Sequence, residues 1–196
     1  MKIAIDLDGT IFSCDSLLYK VANTFFSAYS QQNLKYSEID VEEEKTNSFL
    51  SRFTKILNHQ YYKEVEDATN IIREWKRFGH EIILLSSRPN WKALRSVVLT
   101  WLDNFDLEFT MLVVACSNKA KFCEKYKVDV LIDDTFANCK NAGKQGIKSV
   151  CLVENKDKIK ADTKNVFVAE NWFEIDEQIK KIYNDKKQKV IKELEK

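Results

Sequence analysis

The chain is poor in the two residues that punctuate a backbone, with four glycines and a single proline in 196 residues. That scarcity excludes collagen-like and low-complexity architectures. Neither sign of charge is in excess. The 31 Lys and Arg residues against 30 Asp and Glu leave a formal +1, which argues against a mainly electrostatic nucleic-acid or membrane-surface binder. The five cysteines (Cys14, Cys116, Cys123, Cys139, Cys151) are an odd number and none has C-x-x-C spacing. Neither a disulfide framework nor a zinc knuckle is expected, and reduced thiols in a cytoplasmic protein are. No apolar run approaches the roughly 20 residues needed to cross a bilayer. Asp6 interrupts the opening MKIAI before a signal-peptide core can form.

What is present suits one domain, or one domain with a small insertion: 44% hydrophobic residues, 12% aromatic, ample for a core. Short, β-branched apolar runs predict buried strands at Lys2 to Leu7, Glu81 to Leu85, Met111 to Ala115, Val128 to Ile132 and Lys148 to Val153. Helical spacing lies between them. Val65, Ala68, Ile71, Ile72 and Trp75 lead to a C-cap at Gly79. Trp91, Leu94, Val98, Trp101 and Leu102 form a second stripe, Ala120, Cys123 and Tyr126 a third, and Phe136 to Lys144 a shorter helix. Strands apolar on both faces, alternating with helices, predict an α/β fold: a three-layer, Rossmann-like parallel sheet.

Residues 12 to about 63 break this rhythm. They hold no strand-like run, but Leu17, Leu18, Val21, Phe25 and Tyr29, then Phe49, Phe53, Ile56 and Leu57, make helical stripes. The expected organisation is a core over 1–11 and 65–170, a small helical insertion over 12–64 after the first strand, and a C-terminal helix over 171–196. In that last helix Trp172, Ile175, Ile179 and Ile182 dock on the core.

In an open parallel sheet, ligands bind outside the carboxyl ends of the strands. After the first strand stands Asp6-Leu7-Asp8-Gly9-Thr10, after the second Ser86-Ser87-Arg88, past the third Lys119, and after the fourth Asp133-Asp134. Carboxylates crowded at one rim repel one another. A divalent cation with a taste for hard oxygen ligands, Mg²⁺, removes that repulsion and takes one or two carboxylates plus a phosphate oxygen. Lys119 supplies a point charge and Ser86 a hydroxyl for the same phosphate, while Gly9 lets backbone N–H groups approach an anion. Asp6, beside the metal, stays ionised and suits in-line attack on phosphorus. Asp8, turned away from the metal, can give a proton to the leaving oxygen and later take one from water.

Together these residues resemble the four motifs of the haloacid dehalogenase superfamily of phosphatases, over about residues 1 to 11 and 65 to 155. The resemblance implies Asp6 as nucleophile, Asp8 as acid/base, and Gly9, Thr10, Ser86, Ser87 and Lys119 around the phosphate. It implies Mg²⁺ bound by Asp6, the backbone carbonyl of Asp8, and Asp133, with Asp134 assisting. The insertion matches that superfamily's first cap position, and caps close over such sites. The small helical cap with LLSSRP and LIDD looks most like the 5'(3')-deoxyribonucleotidase group, which implies a small-molecule phosphate ester, a (deoxy)nucleoside monophosphate, as substrate.

Alternatives stand beside several of these assignments. Lys121 rivals Lys119, and Ser87 rivals Ser86. Phe12, Phe25, Tyr29, Tyr61 and Tyr62 either stack on a base or form the insertion's own core. Arg88 and Trp91 are placed to touch substrate, whereas Pro89 sets a helix start. His59 and His80 read as solvent-facing or helix-end residues. Another phosphorylated metabolite, a nucleic-acid end, or a non-catalytic phosphate- or Mg²⁺-binding module are the competing functions.

Overall fold

The computed structural model describes residues 1–14, 37–38, 62–88, 90, 92–159 and 164–195. Among these described residues the strands are β1 (Lys2–Asp6), β2 (Phe12–Cys14), β3 (Ser37–Glu38), β4 (Tyr62–Glu64), β5 (Glu81–Leu85), β6 (Met111–Val114), β7 (Val130–Asp133), β8 (Lys148–Leu152) and β9 (Val166–Ala169). The α-helices are α1 (Ala68–Arg77), α2 (Lys92–Asn104), α3 (Lys119–Lys125), α4 (Phe136–Lys144) and α5 (Trp172–Leu194).

One sheet of seven strands runs in the order β3-β6-β5-β1-β7-β8-β9. The strands from β6 to β9 pair in parallel, and β3 runs antiparallel along the β6 edge. Alternation along each strand divides the core. Ile3, Ile5, Ile82, Leu84 and Ile132 point to the layer that holds Trp75, Trp101 and Trp172 from α1, α2 and α5. Ala4, Ile83, Leu85 and Leu131 point to the opposite layer, with Phe122 and Cys123 of α3 and Ala142 of α4. The three-layer α/β expectation is met. Strand β1 lies centrally, with β5 on one side and β7 on the other, so the chain reverses its winding there and leaves a crevice beyond the carboxyl ends.

Helix boundaries follow from identifiable groups. At the start of α1, Glu64 Oε1 accepts from the backbone N–H of Thr69 at 2.8 Å; Asp67, the residue in the cap position, makes no side-chain cap bond. At its end Gly79 takes φ +81°, and His80 N–H closes onto Trp75 O at 3.0 Å, the left-handed stop that glycine provides without steric cost. Asn118 caps α3 through Lys121 N–H at 3.0 Å, and Asn171 caps α5 through Glu174 N–H at 3.0 Å.

Three expectations need correction. Residues 12–63 do contain strands: β2 and β4 form an antiparallel ribbon with Phe12 opposite Glu64 and Cys14 opposite Tyr62, and β3 joins the main sheet. Two- and three-residue strands are too short to show an alternating pattern. Strand β9, VFVA, also joins the sheet unannounced. The fourth predicted strand runs later than expected, so Asp133 is its last residue. The other predicted strands and helices agree with the structure to within a few residues. The helical stripes of the insertion, with Phe25, Tyr29 and Tyr61, lie outside the described residues, as do His59, Pro89 and Trp91.

Helix α5 reaches back to the first strand's turn. The indole of Trp172, 1% exposed, donates to the carbonyl of Thr10 at 3.0 Å. Trp75, packed near Trp172, donates to Asp176 Oδ1 at 2.8 Å. Trp172→Phe keeps an aromatic ring but orphans a buried carbonyl, and should cost about 1–3 kcal/mol. Urea unfolding checks this; an unchanged midpoint would show that the bond contributes nothing.

Candidate active site

Strand β1 ends on Asp6, and the chain turns at once. Ile11 and Phe12 N–H both return to Leu7 O at 3.1 Å, and Gly9 N–H donates to Phe12 O at 2.7 Å. Gly9 has φ +81°, and a Cβ there would meet Asp134 Oδ2 at 2.0 Å. The turn therefore requires glycine for its backbone conformation, and a Cβ there would also push the Asp134 carboxylate aside.

Three strand ends and one helix start bring their polar groups together. Lys119, the first residue of α3, sends Nζ to Asp6 Oδ1 at 2.7 Å and to Asp133 Oδ2 at 2.7 Å. All three are buried, at 5%, 5% and 0% exposure for Lys119, Asp6 and Asp133. Asp6, Asp133 and Asp134 each offer a carboxylate oxygen, and these lie within 4.8 Å of one another. Asp133 is held from three sides: besides Lys119, the N–H of Thr135 donates at 2.8 Å and Asn138 Nδ2 at 3.1 Å to each oxygen. Ser86 is fully buried and its Oγ accepts from Arg88 N–H at 3.1 Å. Asp8 stands apart from the lysine. Its two oxygens receive the Arg88 fork, Nε at 2.9 Å and Nη2 at 2.5 Å.

The electrostatics follow from this packing. Burial pushes the Asp6 carboxyl well above the ordinary carboxylate range; Lys119 opposes this and Asp133 adds to it. Asp134 is raised by burial and by the neighbouring Asp133. Burial pulls Lys119 down, but the carboxylates of Asp6 and Asp133 outweigh it, so the ammonium is held above its usual range. The cluster is thus one firmly charged cation among carboxylates that are costly to ionise together. That donor set fits a hard divalent cation, whose charge removes the cost.

Other residues named from sequence take distinct places. The Thr10 side chain is fully buried and its Oγ1 has no hydrogen-bond partner among the described residues. Ser87 is exposed, leaving Ser86 as the hydroxyl directed inward. Lys121, also exposed, gives its backbone N–H to the Asn118 cap. Phe12 corrects an expectation: it is 1% exposed and packs on Trp101 and Phe105 in the core, so its ring has no face for a substrate. His80 is half-buried just past α1, edge-on to Tyr183.

Three residues near the carboxylates carried no sequence signal that was used. Asn138 grips Asp133 from the first turn of α4. Cys139 and Cys151 place their thiols 3.7 Å from the carbonyls of Asp133 and Asp134 respectively. The Asn five residues beyond Asp133 is the one that spacing could have found, because it faces back along the helix start.

Comparison with solved structures gives the fold. A phosphatase of the haloacid dehalogenase superfamily from Thermococcus onnurineus superposes with TM-score 0.58 at 15% identity, over 91% of this chain and 98% of that one. A haloacid dehalogenase-like family hydrolase from Xanthomonas campestris does so with TM-score 0.56 at 9% identity, over 92% and 95%. D,D-heptose 1,7-bisphosphate phosphatase from B. bronchiseptica, complexed with magnesium and phosphate, gives 0.57 at 11% identity, over 92% and 98%. No curated protein matches the chain by sequence. The family model for the PITM 1-3, LNS2 domain matches residues 46–168, a stretch that includes Ser86, Lys119, Asp133 and Asp134 and starts after the Asp6–Asp8 pair. This is a different family from the deoxyribonucleotidase group. The match spans well over half of the chain, which belongs to the PITM 1-3, LNS2 domain family and has the haloacid dehalogenase fold.

Proposed function

We propose that the chain is a Mg²⁺-dependent phosphomonoesterase that forms a phosphoryl-Asp6 intermediate, with (deoxy)nucleoside monophosphates as its substrates. Support comes first from one observation, the Lys119 ammonium 2.7 Å from both Asp6 and Asp133 at the carboxyl end of the sheet. A buried lysine with three donors can keep both carboxylates and turn a third N–H to a phosphoryl oxygen. Ser86, which accepts from Arg88, still has its own O–H to donate. Further support comes from solved structures of the same fold that are phosphatases, one of them complexed with magnesium and phosphate.

In this reading Asp6 attacks phosphorus in line, the P–O ester bond breaks, and Asp8 gives its proton to the departing alkoxide. Asp8 then takes a proton from water as that water attacks the acyl phosphate, which releases inorganic phosphate and restores Asp6. Asp6, Asp133, Asp134 and the Asp8 carbonyl would hold the Mg²⁺, which supplies charge neutralisation for the crowded carboxylates and the phosphoryl oxygens. The segment over 12–64 serves as the cap that selects the leaving group.

Phosphate release from p-nitrophenyl phosphate tests the reaction class. Activity should be lost with EDTA and restored by Mg²⁺; turnover that persists in EDTA would end the proposal. A panel of phosphate esters tests the substrate, and equal weak activity on all of them would exclude a nucleotide preference.

Thermal melting offers a second test. A carboxyl whose folded pKa is raised stabilises the fold at low pH and loses that contribution as pH climbs from its ordinary 3.8 through the raised value. Metal-free protein should therefore lose stability over that window. Mg²⁺, which binds only the ionised carboxylates, should raise the melting temperature more as pH climbs from 3.8 through that window. A shift independent of pH would contradict binding at Asp6 and Asp134.

A further inference from the structure

Arg88 holds Asp8, the aspartate that stands apart from the Lys119 bridge between Asp6 and Asp133. Nε and Nη2 engage both oxygens of Asp8, the two residues lie 80 positions apart, and both side chains are only 15% exposed. Surface ion pairs usually join two free side chains and contribute little. This one is anchored. The Arg88 N–H is bonded to Ser86 Oγ, and its carbonyl accepts from Ala115 N–H at 2.8 Å, so the ends of β5 and β6 fix where the guanidinium stands.

The geometry conflicts with the work assigned to Asp8. With one Arg88 bond on each oxygen, a proton carried by Asp8 competes with the arginine fork for the carboxylate. Transfer of a proton needs at least one oxygen released. Releasing it with nothing in exchange would take from a partly buried carboxylate the charged pair it now has, which is unfavourable. A neutral alcohol offers Arg88 no replacement. An anion on the leaving group does, because a carboxylate or phosphate can take the same fork in charge-assisted bonds.

Building on the phosphatase reading, we infer that Arg88 is a specificity-determining latch: it parks Asp8 in the free protein and passes to a second anionic group carried by the leaving alcohol. The substrate class is a phosphate monoester with a carboxylate or second phosphate close to the scissile bond. The transferred phosphoryl group itself falls to Ser86 and Lys119. A nucleoside monophosphate, whose leaving alcohol is neutral, lies outside this class, so the inference rests on the phosphomonoesterase reading and competes with its nucleotide substrates.

The matched pair ethyl phosphate and phosphoglycolate, which differ by one carboxylate, isolates this effect. With the full chain and Mg²⁺, kcat/KM should favour phosphoglycolate at least about tenfold. Arg88→Gln should bring that ratio close to one, chiefly through a higher KM for phosphoglycolate, and Arg88→Lys, which keeps the charge but loses the fork, should give an intermediate ratio. Melting temperatures of both variants control for folding. A wild-type ratio near one overturns the inference, as does a ratio that survives in both variants. So does an equal loss on both esters, which would make Arg88 a support for Asp8 alone. If the wild type releases phosphate from neither ester nor from p-nitrophenyl phosphate, the catalytic reading itself fails and takes this one with it. Phosphate release with an unchanged ratio overturns the latch alone.

Discussion

Asp6→Asn is expected to lower phosphate release by about 10⁴-fold or more while leaving the melting temperature unchanged or higher. The two effects have a common origin. Asp6 is buried, and burial raises its carboxyl far above the ordinary range against the opposing pull of Lys119. The fold therefore tolerates the charge at Asp6 at a cost, and an amide of the same shape removes that cost. Lys119 keeps Asp133 at 2.7 Å, so no buried cation is left alone. Steady-state kinetics and a thermal melt on the same sample check both halves. A variant that melts well below the parent would show that Asp6 is chiefly a structural ion-pair partner.

Lys119→Met is the opposite case, with loss of both stability and activity. It leaves Asp6 and Asp133 facing each other without their shared cation, and breaking a buried pair by removing one partner costs about 3–5 kcal/mol. Activity should fall by about 10²–10³-fold, the usual effect of removing a fixed charge that stabilises a developing anion. Mg²⁺ should restore part of the lost stability, because it provides the positive charge that the two carboxylates then lack. Unfolding in urea with and without Mg²⁺ measures this. Equal destabilisation in both conditions would indicate that no metal enters the cluster.

Parts of this arrangement are plain in the sequence and parts are not, for physical reasons. KIAID, EIILL and KSVCL read as strands because a strand buried on both faces must be apolar throughout, and such runs are rare elsewhere in the chain. The residues closing those runs could be placed at one rim from the topology alone. Asp6, Ser86, Lys119 and Asp133 are found there. The ribbon of β2 with β4 was not legible, since two or three residues carry almost no periodicity and their pairing is decided by distant partners.

Side-chain direction was harder to read than position. Phe12 follows the turn after β1 and is aromatic, which suggests contact with a base. Its place in β2, with Trp101 and Phe105 beneath, turns the ring into the core instead. Arg88 could be located beside the site from spacing, but its bond to Asp8 depends on how the turn after β1 meets the loop after β5. Asn138 and the thiols of Cys139 and Cys151 support Asp133 and Asp134 through contacts that only the packed α4–β8 layer creates.

Trapping the phosphoryl group on the protein is the most direct measurement. During turnover of a phosphorus-labelled ester with Mg²⁺, acid quenching followed by peptide mapping should find an acyl phosphate, released by hydroxylamine, on the peptide containing Asp6. Asp8→Asn should let it accumulate, and Asp6→Asn should abolish it. Turnover with no label on that peptide, or label that persists in Asp6→Asn, would contradict a phosphoryl group bonded to Asp6 and held by the neighbouring strand ends.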